Sequence, residues 1–299
     1  MNYTRRLTHV FIFPALALLF GACASMTRPA NSGPPRADES PRFAVLNASD
    51  ERRTAALANW TALVGEQAAA TSSVPELRPV TATLQALPAN LHDYPRLPLV
   101  IVKDEKSRSE EETRESLRRF LQTAAPLLGI DLRQLSLVGI SDAPTGGNGA
   151  KRALYLQNPF PYPLRNGYGV VEIIFTSDLR VVGLSSTAVP DAERLNRTLI
   201  TIPKTLTAAQ VTAALANRAI IYTDATGTQQ TRTVTQADSM TARQLVVFPV
   251  RRDAATPTLE LHVAWEVAAG GPASPLQVYV DAATGDVLGA TQETQTTAE

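Results

Sequence analysis

Between Ser109 and Ala290 the chain runs twice through one pattern, a capped amphipathic helix followed by strand-like segments. In the first pass Ser109 and Glu112 form a capping box, acidic residues crowd the first turn, and Leu117, Phe120, Leu121 and Ala124 recur at helical spacing. Pro126 and Gly129 end that helix near Leu128. From Leu135 the period changes to that of strands. Val170 to Phe175 and Arg180 to Leu184 flank Ser177-Asp178 as a hairpin, and the turn-rich stretch Asp142 to Gly149 separates two earlier strands. In the second pass Thr207 caps a helix from Ala208 to about Asn217. Leu245 to Val250, Leu259 to Val267 and Leu276 to Val280 read as strands, and Asp281 to Asp286 turns into a closing strand at Val287 to Ala290. Helices and strands segregated in this way predict an α+β fold of two helix-on-antiparallel-sheet units, each sheet covered by a helix on one face.

Ahead of this pattern, Ser49 or Asp50 is positioned to cap a helix running to about Gln67, with Ala55, Leu57, Trp60, Leu63 and Val64 on its apolar face. Leu77 to Leu87 and Leu97 to Val102 read as strands, the second a buried run. Proline-rich connectors around Pro190 and Pro203 mark a boundary. The expected organisation is an export segment over 1–22, a flexible tether over 23–42, an N-terminal region over 43–105, two lobes over 106–190 and 191–290, and a disordered tail over 291–299.

The chain contains one cysteine, Cys23. No internal disulfide can therefore staple the body, which has to stand on its apolar core. Arg5 and Arg6, the apolar run Val10 to Phe20 and the small pair Gly21-Ala22 before Cys23 follow the order of a secretory signal. The stretch Leu19 to Cys23 resembles a bacterial lipobox, which implies acylation of Cys23. The alternative is an ordinary signal peptide cut elsewhere. Acyl chains contribute about 0.8 kcal/mol per buried methylene, so several on one residue anchor stably. By resemblance to enteric bacterial lipoprotein sorting, Ala24 in place of an aspartate after the cysteine implies the outer membrane, facing the periplasm, over inner-membrane retention. The four prolines of residues 24–42 and the absence of apolar period suit a tether.

Lys plus Arg and Asp plus Glu both number 28, so no global field recruits nucleic acid. The histidines are His9, His92 and His262; His9 leaves with the signal, and the other two lie in unrelated segments. His262 alternates with Leu261 and Val263, as a sheet-surface residue would. Glu110 to Glu112 reads as a solvated helix start. Gly183-Leu184-Ser185-Ser186-Thr187 fails the nucleophile elbow at its last position, and no glycine-rich phosphate loop occurs. No catalytic residue, metal or cofactor is expected.

Phe120-Leu121, Leu127 to Ile130 and the Val170 to Leu184 hairpin resemble the propeptide of thermolysin and fungalysin metalloproteases. Leu206 to Val211, Leu245 to Pro249, His262 to Val267 and Val278 to Leu288 resemble a PepSY domain. The most specific match is the turn motif carrying Asp281, Thr284 and Gly285. There Asp281 can bond backbone amides and Gly285 can take a positive φ. The resemblance implies a cystatin-like, fold-assisting and inhibitory prosegment that sits against a zinc protease. Yet no His-Glu-x-x-His occurs in these 299 residues. The expected function is a non-catalytic lipoprotein that binds, inhibits or chaperones a secreted thermolysin-like protease in trans. The other expectations are an adaptor in an envelope assembly and an enzyme with an unrecognised site.

Overall fold

A computed structural model describes residues 42–65, 74–89, 91, 93–100, 110–145, 147, 149–224, 226–253, 255–270 and 275–292. Cys23, His92, Ser109 and the tail from 293 lie outside the described residues. In chain order the elements are β1 (Ala44–Asn47), α1 (Asp50–Val64), β2 (Glu76–Leu77), β3 (Leu84–Ala86), α2 (Glu110–Leu128), β4 (Leu135–Asp142), β5 (Lys151–Gln157), β6 (Val170–Phe175) and β7 (Val181–Ser186). Then come α3 (Ala192–Leu199), α4 (Ala208–Leu215), β8 (Arg218–Thr223), β9 (Gln229–Val234), β10 (Met240–Arg252), β11 (Thr258–Ala269), β12 (Leu276–Asp281) and β13 (Val287–Gln292). The fold is α+β.

The first sheet is an antiparallel meander, β4-β5-β6-β7. Alternation puts Ala153, Tyr155, Val171, Ile173 and Phe175 on one face, where α2 covers them with Leu117, Phe120, Leu121, Ala124 and Leu128. Helix α1 packs on α2: Ala56 and Trp60 are buried, and the Asn59 side-chain amide donates to Thr123 O. Ser49 caps α1 by accepting from Arg52 N–H at 3.2 Å. Ala55, placed on the apolar face by its spacing, is exposed. Glu112 also departs from the sequence reading, being buried while Glu110 and Glu111 face solvent.

The second sheet has seven strands in the order β1-β11-β12-β13-β8-β9, with β10 on the other side of β11. Helix α3 packs Leu195 and Leu199 against Leu46, Leu259 and Leu261, and α4 packs Val211 and Leu215 with Val267, Val278 and Val280. Thr207 and Gln210 close a full capping box on α4. Thus α4 ends at Leu215, short of the expected Asn217. Asn217 turns left-handed, with φ 63°, and donates its N–H to Val234 O to start β8 and β9.

Several expected elements differ. The stretch Leu77 to Leu87 is a hairpin of two very short strands, because Ala82 sits at φ 57° and Arg78 N–H closes on Thr83 O at 2.9 Å. Leu97 to Val100 forms no strand, although Leu97 and Val100 are buried. A single bridge joins Arg96 to Arg180, Leu97 N–H donates to Leu179 O, and Leu99 is 62% exposed. Residues 101 and 102 lie outside the described residues. Helix α3 occupies what reads as a proline connector, and β1, β8 and β9 had no counterpart in the sequence reading. β1 joins the second sheet while α1 serves the first, so residues after Phe43 contribute to both.

Candidate functional site

The turn between β12 and β13 is organised by one carboxylate. Asp281 Oδ1 accepts the N–H groups of Ala283 (2.7 Å) and Thr284 (3.0 Å), and Gly285, at φ 77°, returns its own N–H to Asp281 O. Thr284 Oγ1 donates to Asp286. The other oxygen, Oδ2, stands 2.6 Å from His262 Nδ1, and His262 Nε2 faces Glu260 Oε2 at 3.3 Å. Arg252 completes the chain on Glu260 at 2.9 Å, and the Phe43 ring lies 4.8 Å from the imidazole.

His262 is therefore no sheet-surface residue. It is 5% exposed, and both ring nitrogens meet carboxylates. Burial opposes its charged form, but the hydrogen bonds and charges of Asp281 and Glu260 together hold it protonated above the ordinary histidine range. Glu260 is likewise opposed by burial, yet His262 and Arg252 pull it below the usual carboxylate range. An imidazolium that donates from both nitrogens has no lone pair left to accept a proton from a substrate. The cluster ties β11 to the β12–β13 turn. Pattern reasoning missed it because the two partners of His262 are 2 and 19 residues away.

A second feature lies at the sheet edges. β7 is covered by the β2–β3 hairpin, where Arg78 Nε and Thr83 Oγ1 both donate to Ser186 O. β10 is covered by the loop after β5: Val247 N–H donates to Pro163 O, and Val247 O accepts from Arg165 N–H. Arg165 also pairs with the buried Glu266 at 2.7 Å. β4 pairs only with β5 among the described residues, and Val138 on it is 57% exposed. Beside β4 runs a groove of about 440 Å³, floored by Leu121, Leu132, Leu135 and Leu137.

A larger cleft of about 760 Å³ lies where Arg52, Gly129, Gln157 and Asp191 approach one another. Its charges are largely spent on each other. Arg52 holds Asp191 at 2.9 Å, and Arg133 holds Asp131 at 2.6 Å. Gln157 is consumed by the Val189 backbone, giving one bond to its carbonyl and taking one from its N–H. Among the described residues no three His, Cys, Asp or Glu side chains gather as a metal site, and no helix is long and apolar enough to cross a membrane.

No protein-family model matches the chain, and no curated protein matches it. Among solved structures it is similar to the Bacillus megaterium YpeB C-terminal domain, at 9% identity over 83% of this chain and 99% of that one, with a TM-score of 0.30. At that score the fold assignment rests on the sheets and helices themselves.

Proposed function

We propose that this protein is an envelope lipoprotein, acylated at Cys23, whose body binds a secreted metalloprotease in trans and restrains or chaperones it. The observation that carries the binding reading is the edge strand β4, which pairs only with β5 among the described residues and has an apolar groove beside it. β7 and β10 are each closed by a dedicated loop or hairpin, whereas β4, like β9 of the second sheet, has one ladder partner among the described residues, and the apolar groove lies beside β4. An open edge offers main-chain donors and acceptors that any extended segment can use, with adjacent pockets selecting its side chains. The choice of a protease as partner comes from the resemblance of residues 110–290 to protease propeptide and PepSY segments.

A photo-crosslinking residue in place of Val138, in cells of the source organism, tests this. The expected product is one discrete adduct with a zinc protease. Recovery of a multi-protein envelope assembly without a protease would replace this reading with the adaptor one, and no β4-specific adduct at all would refute both.

A further inference from the structure

We infer that His262 is a proton-operated latch on the strand by which the chain enters its body: protonated, it holds the start of β1 against β11, and on losing its proton it lets that start lift away. The device is independent of what the body binds.

β1 and β12 share one edge of β11, end to end. Ala44 to Asn47 pair with Leu261 to Thr258, and Leu276 to Asp281 pair with Ala269 to Ala264. The seam between the two strands falls at His262 and Val263, where Ala282 N–H donates to Val263 O. β1 is held there from two sides. Ala44 and Leu46 point inward and are buried with Leu195, Leu199 and Leu261. Val45 lies opposite Glu260, so Phe43 and Val45 share the face that carries Glu260 and His262. The inward hold is apolar and indifferent to pH, whereas the outward one ends on an imidazole.

The charged groups at that ring come from three strands: Asp281 from β12, Glu260 from β11 and, behind Glu260, Arg252 from β10. β10 also sets Phe248 opposite His262, Asp286 of the turn is taken by Thr284, and Arg42 beside Phe43 is exposed. An imidazolium satisfies both carboxylates and presents a cation to the Phe43 ring at 4.8 Å. Burial opposes that charge, but Asp281 and Glu260 raise the ring above the ordinary histidine range, so release comes on the alkaline side of it.

A neutral imidazole keeps one N–H. Asp281 is the closer carboxylate, at 2.6 Å against 3.3 Å for Glu260, and the more deeply buried. Nδ1 therefore retains the proton, and the β12–β13 turn stays closed. The bare Nε2 then faces Glu260 acceptor against acceptor, and Glu260 turns toward solvent with Arg252, whose side chain is half exposed. Phe43 loses its cation and Val45 its cross-strand neighbour in the same step. Leu46 stays buried, so release stops there. Freeing Phe43 to Val45 adds about 10 Å of extended chain to the segment ahead of the body.

The ladder supplies the reporter amides. Ala48 N–H donates to Pro257 O. By alternation Ala44 and Leu46 aim their N–H groups at β11, while Val45 turns outward and its carbonyl receives Arg194. The test measures, in the full-length chain, amide exchange relative to the intrinsic rate at each pH, while ring-nitrogen chemical shifts follow His262. Protection of the Ala44 amide is expected to fall about tenfold between about pH 6 and 9 as the ring titrates, with Leu46 little changed. Coupling is reciprocal, so Phe43→Leu, which keeps the bulk and removes the ring face, is expected to lower the His262 pKa by about half a pH unit. In His262→Gln, Ala44 protection is expected to lose its pH dependence. A ring still charged at about pH 9, Ala44 protection that ignores pH in the native chain or follows it in His262→Gln, or an unmoved His262 pKa in Phe43→Leu would overturn the inference. Equal loss at Ala44 and Leu46 would also overturn it, by making the change a loosening of the whole strand.

Discussion

Replacing Asp281 with alanine strips three hydrogen-bond donors of one acceptor group: the N–H groups of Ala283 and Thr284, and His262 Nδ1. Asp281 is 2% exposed and His262 5%, so water does not readily replace the lost carboxylate. Hydrogen bonds to charged groups contribute about 1.5–3 kcal/mol each, and removing one member of a buried pair costs about 3–5 kcal/mol. Asp281→Ala should therefore destabilise the body by about 3–5 kcal/mol in urea unfolding. Asp281→Asn keeps an acceptor oxygen for the two turn amides, and its effect should stay near about 1–2 kcal/mol. The pH dependence has a definite sign. His262 is raised above the ordinary histidine value of about 6.5 in the folded state, so its pairing stabilises fully below that value and is lost as pH rises through the folded pKa. The stability gap between the native chain and His262→Gln should narrow as pH rises from about 6 to 9. An Asp281→Ala chain within about 1 kcal/mol of native, or a gap that widens with rising pH, would refute this reasoning.

Phe120, 1% exposed at the centre of the α2 interface, should cost about 3–5 kcal/mol when changed to alanine; a calorimetric loss below about 1 kcal/mol would place the first core elsewhere. Gly129, at φ 65°, has no room for a Cβ, which would lie 2.5 Å from Thr83 Cγ2. Gly129→Ala should lower stability by about 1–3 kcal/mol, and Thr83→Ser, which removes that methyl, should return part of the loss; no recovery would assign the cost to backbone strain alone. Cys23→Ser should abolish incorporation of labelled palmitate and move the protein from the membrane to the soluble fraction, with continued labelling contradicting the assignment of the acylated residue.

The helix-backed sheets were legible because their signals are local. Leu117, Phe120, Leu121 and Ala124 mark one face of α2, and Thr207 with Gln210 marks the start of α4. The Asp281–Gly285 turn announces itself for the same reason, since a carboxylate and a positive-φ glycine at fixed spacing do their work within five residues. Helix α3 was hidden by Pro190 and Pro203, although Ala192, Leu195 and Leu199 keep helical spacing between them. β8 and β9 are rich in Thr, Arg and Gln and show little alternation, because they lie toward the edge of the second sheet. β1 owes its strand state to pairing with β11, more than 200 residues along the chain. The environment of His262 and the single pairing of β4 are likewise tertiary facts: the first depends on a turn that folds back, the second on which strands of the first sheet find a second neighbour among the described residues.

The most direct measurement is proteolysis by purified thermolysin-like enzymes of the source organism in the presence of the purified, non-acylated chain. Saturable suppression or refolding assistance of at least one enzyme is the expected result. Unaltered proteolysis and refolding across that set, with no complex recovered by size-exclusion chromatography, would contradict the proposed role.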